Sequence, residues 1–491
     1  MSLRLYNSLT QTKEPLEQHL LKKRLGMYAC GPTVYDEPHL GHARSAFCFE
    51  LIRNVLASSG YDVFFVRNVT DIDDKIIERS RREGGDLRDA ARKVSQHYAA
   101  LYQDQMTRLG LRRPDEEPKA TEYIGQMKTV IQEILNHGAA YVAGSDVYFD
   151  MTKAEGYGKL SKRNPQEMLE GTRGEPAQNK RNPLDFALWK GAKPEEPFWE
   201  SPWGAGRPGW HIECTTMSTE IFKRHKVPFV IHGGGLDLIF PHHENEMAQA
   251  KGAGRTFASL WVHNGLITVS GQKMSKSLGN FVTLQEIFEK TPPDVVRFYF
   301  LQTHYRSPLD FSWEKLEEAK EAYGRFLILF GRIRIQEGND AKRQKIKDEV
   351  HVLLKEGEKG SGIQFNPDKY RNDFFKALED DINTPEAVAV LFSLLNRANG
   401  ILDDPNLAKK EKMFEFYAVE HEIRRLGKIL GLLFDETIEF LNPEEESLLK
   451  KRNEARKQRD FVTADQIRRQ LLERGIILED AGERTLWRRT K

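Results

Sequence analysis

Cysteine is scarce in this chain, and that scarcity limits the class of protein. The 491 residues include three cysteines, Cys30, Cys48 and Cys214. An odd and sparse set excludes the disulfide framework of a small secreted protein. Taken one at a time, each cysteine is most simply a buried free thiol.

Long apolar segments are also lacking. No apolar run reaches the roughly 18 residues that a membrane span needs. The N-terminal stretch MSLRLYNSLTQTKEPL has no apolar region of the kind found in signal peptides. We therefore expect a cytoplasmic protein with no membrane partner.

A strong excess of one charge is missing as well. Lys and Arg number 74 and Asp and Glu number 73, so the chain as a whole has no polyanion-binding signature. Residues 449–491 are the exception, with 13 Lys and Arg against 7 Asp and Glu. A basic tail is consistent with a nucleic acid partner, although a solvated surface is the more common reason for one.

The first third of the chain contains alternating strand and helix patterns. Val63–Val69 is an apolar run typical of a buried strand, and the pattern resumes later in the chain with the apolar run Pro228–His232. Helical spacing covers Ala43–Ser59, Gln96–Leu109 and Thr121–His137. The alternation predicts an α/β fold with a parallel, doubly wound sheet. Gly138–Trp203, rich in Pro, Gly and charge, is predicted to be an insertion folded onto that sheet.

After Pro308 the pattern becomes helical. Apolar spacing predicts helices at Glu314–Gln336, Pro385–Leu402 and Lys410–Leu433. Gly338–Asp368 is highly charged and is expected to include a connection. From Pro443 to the end we expect two short helices, the second closed by Gly475. A helical bundle and a small C-terminal unit therefore follow the α/β domain.

Two short motifs indicate nucleotide chemistry. His39-Leu40-Gly41-His42 follows a probable strand and opens a helix, where backbone N–H groups attract anions. Lys273-Met274-Ser275-Lys276 places two lysines three residues apart, a spacing suited to a polyphosphate. Alone, the first motif is more often a pair of surface histidines and the second a basic turn.

Together, and in this order, HLGH and KMSKS resemble the paired signatures of class I aminoacyl-tRNA synthetases. The resemblance implies a Rossmann-type catalytic domain that binds ATP with Mg²⁺. It implies that the catalytic groups are His39, His42, Lys273 and Lys276. It implies ATP contacts at Pro32, Thr33, Gly41, His42 and Lys276. The amino acid carboxylate would attack the α-phosphate, so no side chain need act as a nucleophile.

A third set of residues has the chemistry of a metal site. His242 and Glu246 are four residues apart and share a helical face, and the thiols of Cys30 and Cys214 complete a set that Zn²⁺ accepts. His243 and Glu244 are expected to point elsewhere. Spacing alone leaves open that these are buried polar groups and free cysteines.

Longer segments resemble cysteinyl-tRNA synthetases along the whole chain. They are YACGPTVYD, RNVTDIDDK, SPWGAGRPGWHIEC and HGGGLDLIFPHHENE. The resemblance implies one zinc ion per subunit on Cys30, Cys214, His242 and Glu246, with the substrate thiolate as an added ligand. It implies a cysteine pocket at Gly31, Thr70, Trp210 and His211, although Trp210 could instead be plain core. A soft thiolate ligand distinguishes cysteine from serine where packing offers only about 1–3 kcal/mol.

The basic tail resembles the anticodon-binding domain of the bacterial members. Arg456, Asp465 and Asp480 match base-contacting positions, and Phe461 stands where many members have Trp. An aromatic ring can stack on a splayed base, and Asp can accept from a base edge. Without the resemblance, an ordinary charged helical pair would be the simpler interpretation.

These observations predict a cysteine–tRNA ligase that joins L-cysteine to tRNA(Cys) using ATP, as a monomer needing no protein partner. The predicted segments are 1–137 and 204–262 for the Rossmann domain, 138–203 for the insertion, 263–313 for the stem-contact region, 314–440 for the bundle and 441–491 for the anticodon-binding domain. The alternatives are a zinc-dependent ligase that joins cysteine to another amine, and a non-catalytic tRNA-binding relative.

Overall fold

Strands and helices alternate in the first half of the chain, and helices dominate the second half. The structure is a computed structural model that describes residues 2–20, 22–164, 179–274, 281–337, 340–356, 364–434, 443–481 and 484–489. The strands are β1 Arg4–Asn7, β2 Thr12–Pro15, β3 Arg24–Ala29, β4 Asp62–Arg67, β5 Ala140–Ala143, β6 Asp146–Phe149, β7 Phe186–Gly191, β8 Gly206–Pro208, β9 Phe229–Gly235, β10 Leu260–Asn264, β11 Ile267–Val269, β12 Gln272–Lys273, β13 Leu309–Phe311, β14 Ile476–Ala481 and β15 Arg484–Arg489.

The helices bury apolar faces on these sheets or on one another. They are α1 Leu40–Ser58, α2 Asp74–Ser80, α3 Leu87–Arg108, α4 Ile124–Asn136, α5 Trp210–His225, α6 Glu244–Gly252, α7 Leu284–Lys290, α8 Pro293–Leu301, α9 Trp313–Glu337, α10 Asp340–Glu356, α11 Asp368–Glu379, α12 Thr384–Asp403, α13 Lys409–Ile429, α14 Pro443–Lys457 and α15 Phe461–Glu473. Among the described residues, no helix is both long enough and apolar enough to cross a membrane.

The central sheet is parallel, as the alternating pattern predicts. Its strand order is β10-β9-β3-β4, and every neighbouring pair runs in the same direction. β3 and β10 are almost wholly buried, as expected for a sheet covered on both faces. The chain leaves β3 toward β4 on one side and later returns to its other side as β9. A crevice therefore opens at the carboxyl ends of β3 and β9, where ligands bind in folds of this type.

The predicted insertion at 138–203 contributes three strands to a second sheet, and β8 follows directly after it. β5, β6, β7 and β8 form an antiparallel sheet in that order, and the residues between 164 and 179 lie outside the described chain. After this sheet, Gly209 leads directly into α5. The sequence indicated an insertion here but not its antiparallel pairing.

The chain divides into two compact units. The first contains residues 1–290, 303–311 and 378–383, and the second contains residues 291–302, 312–377 and 384–491. The second unit includes the predicted bundle helices α9, α12 and α13. The predicted end of α13 at Leu433 is wrong: the helix stops at Ile429, because Leu430 caps it and Gly431 adopts a positive φ of 78°. The finer segment boundaries stay predictions.

One further expectation is wrong, and one helix was not predicted. The charged stretch Gly338–Asp368 contains α10, in which Val350 and Ile346 are buried on one helical face despite the surrounding charge. The expected connection in this stretch is not contradicted, since residues 364–367 lie outside any helix. The C-terminal unit is not two helices alone, since β14 and β15 form an antiparallel hairpin after α15. Gly475 does follow the second helix with a φ of 75°, as predicted. Ile476 and Leu478, two residues apart, both point into a small core. This alternating pattern covers too few residues to be recognised among the charged neighbours.

Candidate active site and metal centre

A cavity of about 320 Å³ lies at the carboxyl edge of the parallel sheet, within the first unit. Its walls come from the segments that follow β3 and β10, from the start of α1 and from Trp210 on α5. Several predicted site residues line it, namely Cys30, Gly31, Pro32, Thr33, His39, Gly41, His42 and Trp210. The predicted nucleotide residues and part of the predicted cysteine pocket therefore share one cavity.

The HLGH motif forms the first turn of α1. His39 is the N-cap residue, and its Nδ1 accepts from the backbone N–H of Gly41 at 3.0 Å and of His42 at 3.4 Å. His42 Nδ1 accepts in return from the backbone N–H of His39 at 3.3 Å. The two rings stack with centroids 3.7 Å apart. The motif is thus a capping box built from imidazoles.

This hydrogen bonding decides where each neutral ring carries its proton. Burial, together with the nearby His39 and Lys75, lowers the pKa of His42 well below its ordinary value. A neutral ring whose Nδ1 accepts a hydrogen bond must carry its proton on Nε2. Each imidazole that accepts at Nδ1 can therefore offer an Nε2–H donor to an oxyanion, without a charge of its own.

Arg44, one turn further along α1, fixes the wall opposite the helix. Its buried guanidinium donates to the carbonyl oxygens of Gly265 and Leu266, each at 3.0 Å, and to that of Ser307 at 2.6 Å. Gly265 and Leu266 both line the cavity. The sequence analysis did not identify Arg44. The one signal available was a charged residue among the apolar residues of a predicted helix, where charge is rare.

The lysine loop is only partly described. Lys273 lies in β12, and Lys276 falls outside the described residues. The two residues that flank residues 275–280 both lie near the HLGH turn. Met274 lines the cavity, and the ring of Phe281 meets that of His39 edge-on at 5.1 Å. Thr283 also bridges to His39 through the backbone.

The four predicted metal ligands come together beside the cavity, which Cys30 lines. The Sγ atoms of Cys30 and Cys214 are 3.7 Å apart, and Cys30 Sγ is 3.7 Å from Glu246 Oε1. His242 Nε2 lies 3.0 Å from the same carboxylate oxygen. The other oxygen of Glu246 is held by His232 at 2.9 Å, and the Nδ1 of His242 meets His211 at 2.9 Å. Neighbouring side chains thus orient both ligands.

The electrostatics of this cluster favour the ionised forms of Cys214 and Glu246 and the neutral form of Cys30. Burial alone raises the pKa of Cys214, but the thiol of Cys30 and the ring of His242 outweigh it and lower that pKa to about 6. Burial and the neighbouring Cys214 raise the pKa of Cys30 well above its ordinary value. Burial opposes the ionisation of Glu246, yet His232 and His242 lower its pKa to about 2. One thiolate and one carboxylate therefore coexist in a buried site, an arrangement that a bound cation would stabilise.

The expectation that His243 points away from the cluster is wrong. Its Nε2 lies 3.3 Å from Cys30 Sγ, and its ligand atom falls within 4.8 Å of those of Cys30, His242 and Glu246. Its Nδ1 lies 2.8 Å from His263 Nε2, and His263 Nδ1 lies 2.7 Å from Ser8 Oγ. The irregular turn Ile239–His243 before α6 brings both histidines inward, which a regular helix would not do.

Two sets of proton positions satisfy this chain of contacts. Burial and the neighbouring His232 lower the pKa of both rings, that of His263 to about 3. With both rings neutral, either Ser8 donates to His263, His263 to His243 and His243 to the Cys30 sulfur, or every bond runs the other way from a Cys30 thiol. A Cys30 thiolate, as in a metal ligand, has no proton to donate and allows only the first set. Glu244, by contrast, does point elsewhere: its carboxylate accepts from the backbone N–H groups of Gly158 and Ser161.

The other predicted pocket residues surround the cluster. Trp210 is partly exposed, and its ring lies 4.2 Å from that of His242. Since Trp210 also lines the cavity, the plain-core interpretation does not hold for it. Thr70 is buried and accepts a hydrogen bond from Asn68 at 3.2 Å. Sequence reasoning missed Asn68, which also accepts from the backbone N–H of Gly31 at 2.9 Å.

The predicted anticodon residues lie in the second unit. Arg456 and Arg452 both pair with Asp480, each at 2.5 Å. Phe461 opens α15 with 60% of its surface exposed, and the exposed Asp465 follows one turn later on the same helix. Arg456 and Asp480 thus contact each other, whereas the side chains of Phe461 and Asp465 are exposed to solvent.

Comparison with known proteins covers nearly the whole chain. The model of the class I (C) tRNA synthetase catalytic domain matches residues 16–321, the DALR domain model matches 373–435, and the cysteinyl-tRNA ligase anticodon binding domain model matches 440–488. The structure of methionyl-tRNA synthetase from Mycobacterium tuberculosis in complex with methionyl-adenylate has a TM-score of 0.57 at 15% identity, covering 84% of this chain and 92% of that one. That likeness concerns the fold alone.

Curated relatives match from end to end. The cysteine–tRNA ligase of Sulfurihydrogenibium sp. (strain YO3AOP1) is 43% identical over 512 residues, covering 100% of both chains. That of Aquifex aeolicus (strain VF5) is 42% identical over 516 residues, covering 100% of this chain and 99% of the relative. With a catalytic-domain model matching more than half of its length, this chain belongs to the cysteine–tRNA ligase family of class I aminoacyl-tRNA synthetases.

Proposed function

We propose that this chain activates L-cysteine with ATP and transfers it to the 3′ end of tRNA(Cys). One observation carries the proposal: Cys30, which belongs to the buried cluster of thiols, imidazoles and carboxylate, lines the same cavity as the HLGH helix start. A site for a thiol and a site for a polyphosphate are thereby adjacent. Joining a small thiol-bearing acid to a nucleotide needs that adjacency.

The donor set fits a zinc ion. Tetrahedral zinc with Zn–S distances of roughly 2.3 Å holds two thiolates about 3.8 Å apart. The sulfurs of Cys30 and Cys214 are 3.7 Å apart, and His242 and Glu246 supply the nitrogen and oxygen donors. We assign these four as the ligands, with His243 as the hydrogen-bond donor to Cys30. When bound, zinc would supply a soft Lewis acid that selects a thiolate over a hydroxyl.

The chain's own residues would assist the first step by positioning and charge stabilisation. The cysteine carboxylate attacks the α-phosphorus of ATP, a new P–O bond forms, and the bond to pyrophosphate breaks. We assign the Nε2–H groups of His39 and His42 and the N-terminus of α1 to the phosphate oxygens. Lys273 and Lys276 would neutralise the departing pyrophosphate together with Mg²⁺.

Selectivity for cysteine would come from the part of the cavity next to the metal ligands. Trp210 and His211 pack around His242, Gly31 lines the cavity beside Cys30, and Thr70 bridges to Thr33 of the same cavity. Serine matches cysteine in shape but is a harder and far less acidic ligand, so it would lose the metal contact. The second step, attack of a ribose hydroxyl at the 3′ end of the tRNA on the acyl carbon with release of AMP, would depend on tRNA contacts at Arg456, Phe461, Asp465 and Asp480.

The test is amino-acid-dependent exchange of pyrophosphate into ATP with all twenty amino acids, alongside zinc content and tRNA charging. We expect exchange with cysteine alone, about one zinc per chain, and cysteine joined to tRNA. Exchange with cysteine but no charging of tRNA would favour a ligase with another amine acceptor. Bound zinc with no exchange would favour a non-catalytic RNA-binding relative.

A further inference from the structure

Asn68 lies where two strands of the catalytic sheet stop pairing in register. β3 and β4 pair with Ala29 opposite Arg67, and beyond the strand ends Thr33 bridges Thr70. Thr33 comes four positions after Ala29, whereas Thr70 comes three positions after Arg67. The segment after β3 therefore holds one extra residue. Such a bulge redirects side chains and leaves a backbone group without its ladder partner.

The side chain of Asn68 bridges this bulge. Its Oδ1 accepts from the backbone N–H of Gly31 at 2.9 Å, and its Nδ2 donates to Thr70 Oγ1 at 3.2 Å. Asn68 is 1% exposed, so water cannot readily replace these bonds. The two segments approach so closely that a Cβ on Gly31 would lie 1.7 Å from the carbonyl oxygen of Asn68. One buried amide thus sets the path of the chain on both sides of the bulge.

What Asn68 holds is the wall of the proposed cysteine site. Gly31 lines the cavity directly after Cys30. The side chain of Thr70 also interacts with the buried carboxyl of Glu213, the neighbour of Cys214. Asn68 therefore links the Cys30–Gly31 segment, through Thr70, to the helix that carries Cys214.

We propose that Asn68 is a positioning residue for cysteine binding: it fixes the Cys30–Gly31 backbone and the Thr70 hydroxyl against the α-amino and carboxylate groups of the substrate. This inference rests on the proposed function. Two groups of residues then have different roles. The metal ligands bind the thiol of the substrate, and Asn68 fixes the backbone and hydroxyl that contact the rest of the amino acid.

The test compares Asn68→Ala, Thr70→Val and the double variant in the pyrophosphate exchange reaction. Asn68→Ala should raise the KM for cysteine about tenfold, because a buried N–H and a hydroxyl lose their partner, with the KM for ATP and the zinc content unchanged. If Asn68 acts through Thr70, the double variant should raise the KM by less than the product of the single effects. Asn7→Ala is the matched control: Asn7 is an equally buried asparagine outside the cavity, so thermal stability should fall without a change in the KM for cysteine.

Two outcomes would overturn the inference alone. One is an active wild-type protein whose KM for cysteine is unaffected by Asn68→Ala. The other is a variant that loses zinc and binds ATP and cysteine equally poorly, which would indicate a purely structural role. Should Asn68→Ala fail to fold, an unchanged KM in Thr70→Val would refute the proposal instead. A wild-type protein with no cysteine-dependent exchange would refute the proposed function, and this inference with it.

Discussion

At the scale of single residues, Cys214 is the sharpest test of the metal centre. Its thiol ionises more readily than an ordinary cysteine and lies 3.7 Å from that of Cys30. We expect Cys214→Ser to lose most of the bound zinc and to raise the KM for cysteine by at least about tenfold, since a hydroxyl is a poor zinc ligand. Metal analysis and exchange kinetics on one sample measure both. Cys48→Ser is the control, because Cys48 is a buried thiol on α1 and its loss should not change the zinc content. A full zinc content in Cys214→Ser would show that Cys214 is not a zinc ligand.

His42 tests the nucleotide end of the cavity. Its ring is neutral at physiological pH because burial lowers its pKa, so it would act as an Nε2–H donor. Removing one such donor from an oxyanion typically costs about 100-fold in rate. We expect His42→Asn to lower kcat for exchange by that factor, with zinc content and the KM for cysteine unchanged. His97→Asn, an exposed histidine of α3, should have no effect. A loss of zinc in the His42 variant would instead mean that the first turn of α1 supports the metal site.

At the scale of elements, helix α13 depends on buried carboxylates. Glu422 is almost fully buried and accepts from Arg371 at 2.9 and 2.8 Å, and from Arg425. Burial alone would raise the pKa of Glu422, but these arginines outweigh it and lower the pKa below its ordinary 4.5. Its contribution to stability is therefore complete above about pH 4.5 and is lost as the pH falls toward the lowered value.

We therefore expect Glu422→Gln to destabilise the protein most near neutral pH. The free energy of unfolding should fall by about 2–3 kcal/mol at pH 7. This is less than the cost of breaking a fully buried ion pair, because both arginines are partly exposed to solvent. The loss of stability should shrink at pH 3.5, which is below the ordinary pKa of 4.5, because the unfolded chain then binds a proton at this carboxyl more readily than the folded protein does. Thermal unfolding at the two pH values measures this, with Glu349→Gln on the exposed face of α10 as the control. An equal loss at both pH values would mean that packing rather than charge explains the effect.

At the scale of the whole molecule, the two units carry different predicted tasks. The cavity and the metal cluster belong to the first unit, and the predicted anticodon residues belong to the second. Stacking of a base on an aromatic ring contributes about 1–3 kcal/mol. We expect Phe461→Ala to raise the KM for tRNA about tenfold in charging while leaving cysteine-dependent exchange unchanged. Leu472→Ala, an exposed apolar residue near the other end of α15, is the control. Unchanged charging would place the tRNA contact elsewhere.

The elements that the sequence predicted well are those with a strong local period. The parallel sheet and helices such as α1 and α12 follow from apolar spacing and caps that act over a few residues. The hairpin of β14 and β15 was missed because its apolar alternation is brief and surrounded by charge. Helix α10 was missed for a related reason, since its few buried residues are separated by charged ones.

The sequence by itself determined the family and the residue types on which the predicted chemistry depends: its motifs indicate a nucleotide loop, a lysine loop and a thiol-rich metal set, whatever their distance along the chain. Only the tertiary structure decided which neighbours hold those groups. The turn before α6 brings His243 against Cys30, and the bulge after β3 makes Asn68 the link between Gly31 and Thr70. Both depend on backbone irregularities and side-chain directions that arise only when distant strands pair, so no local pattern encodes them.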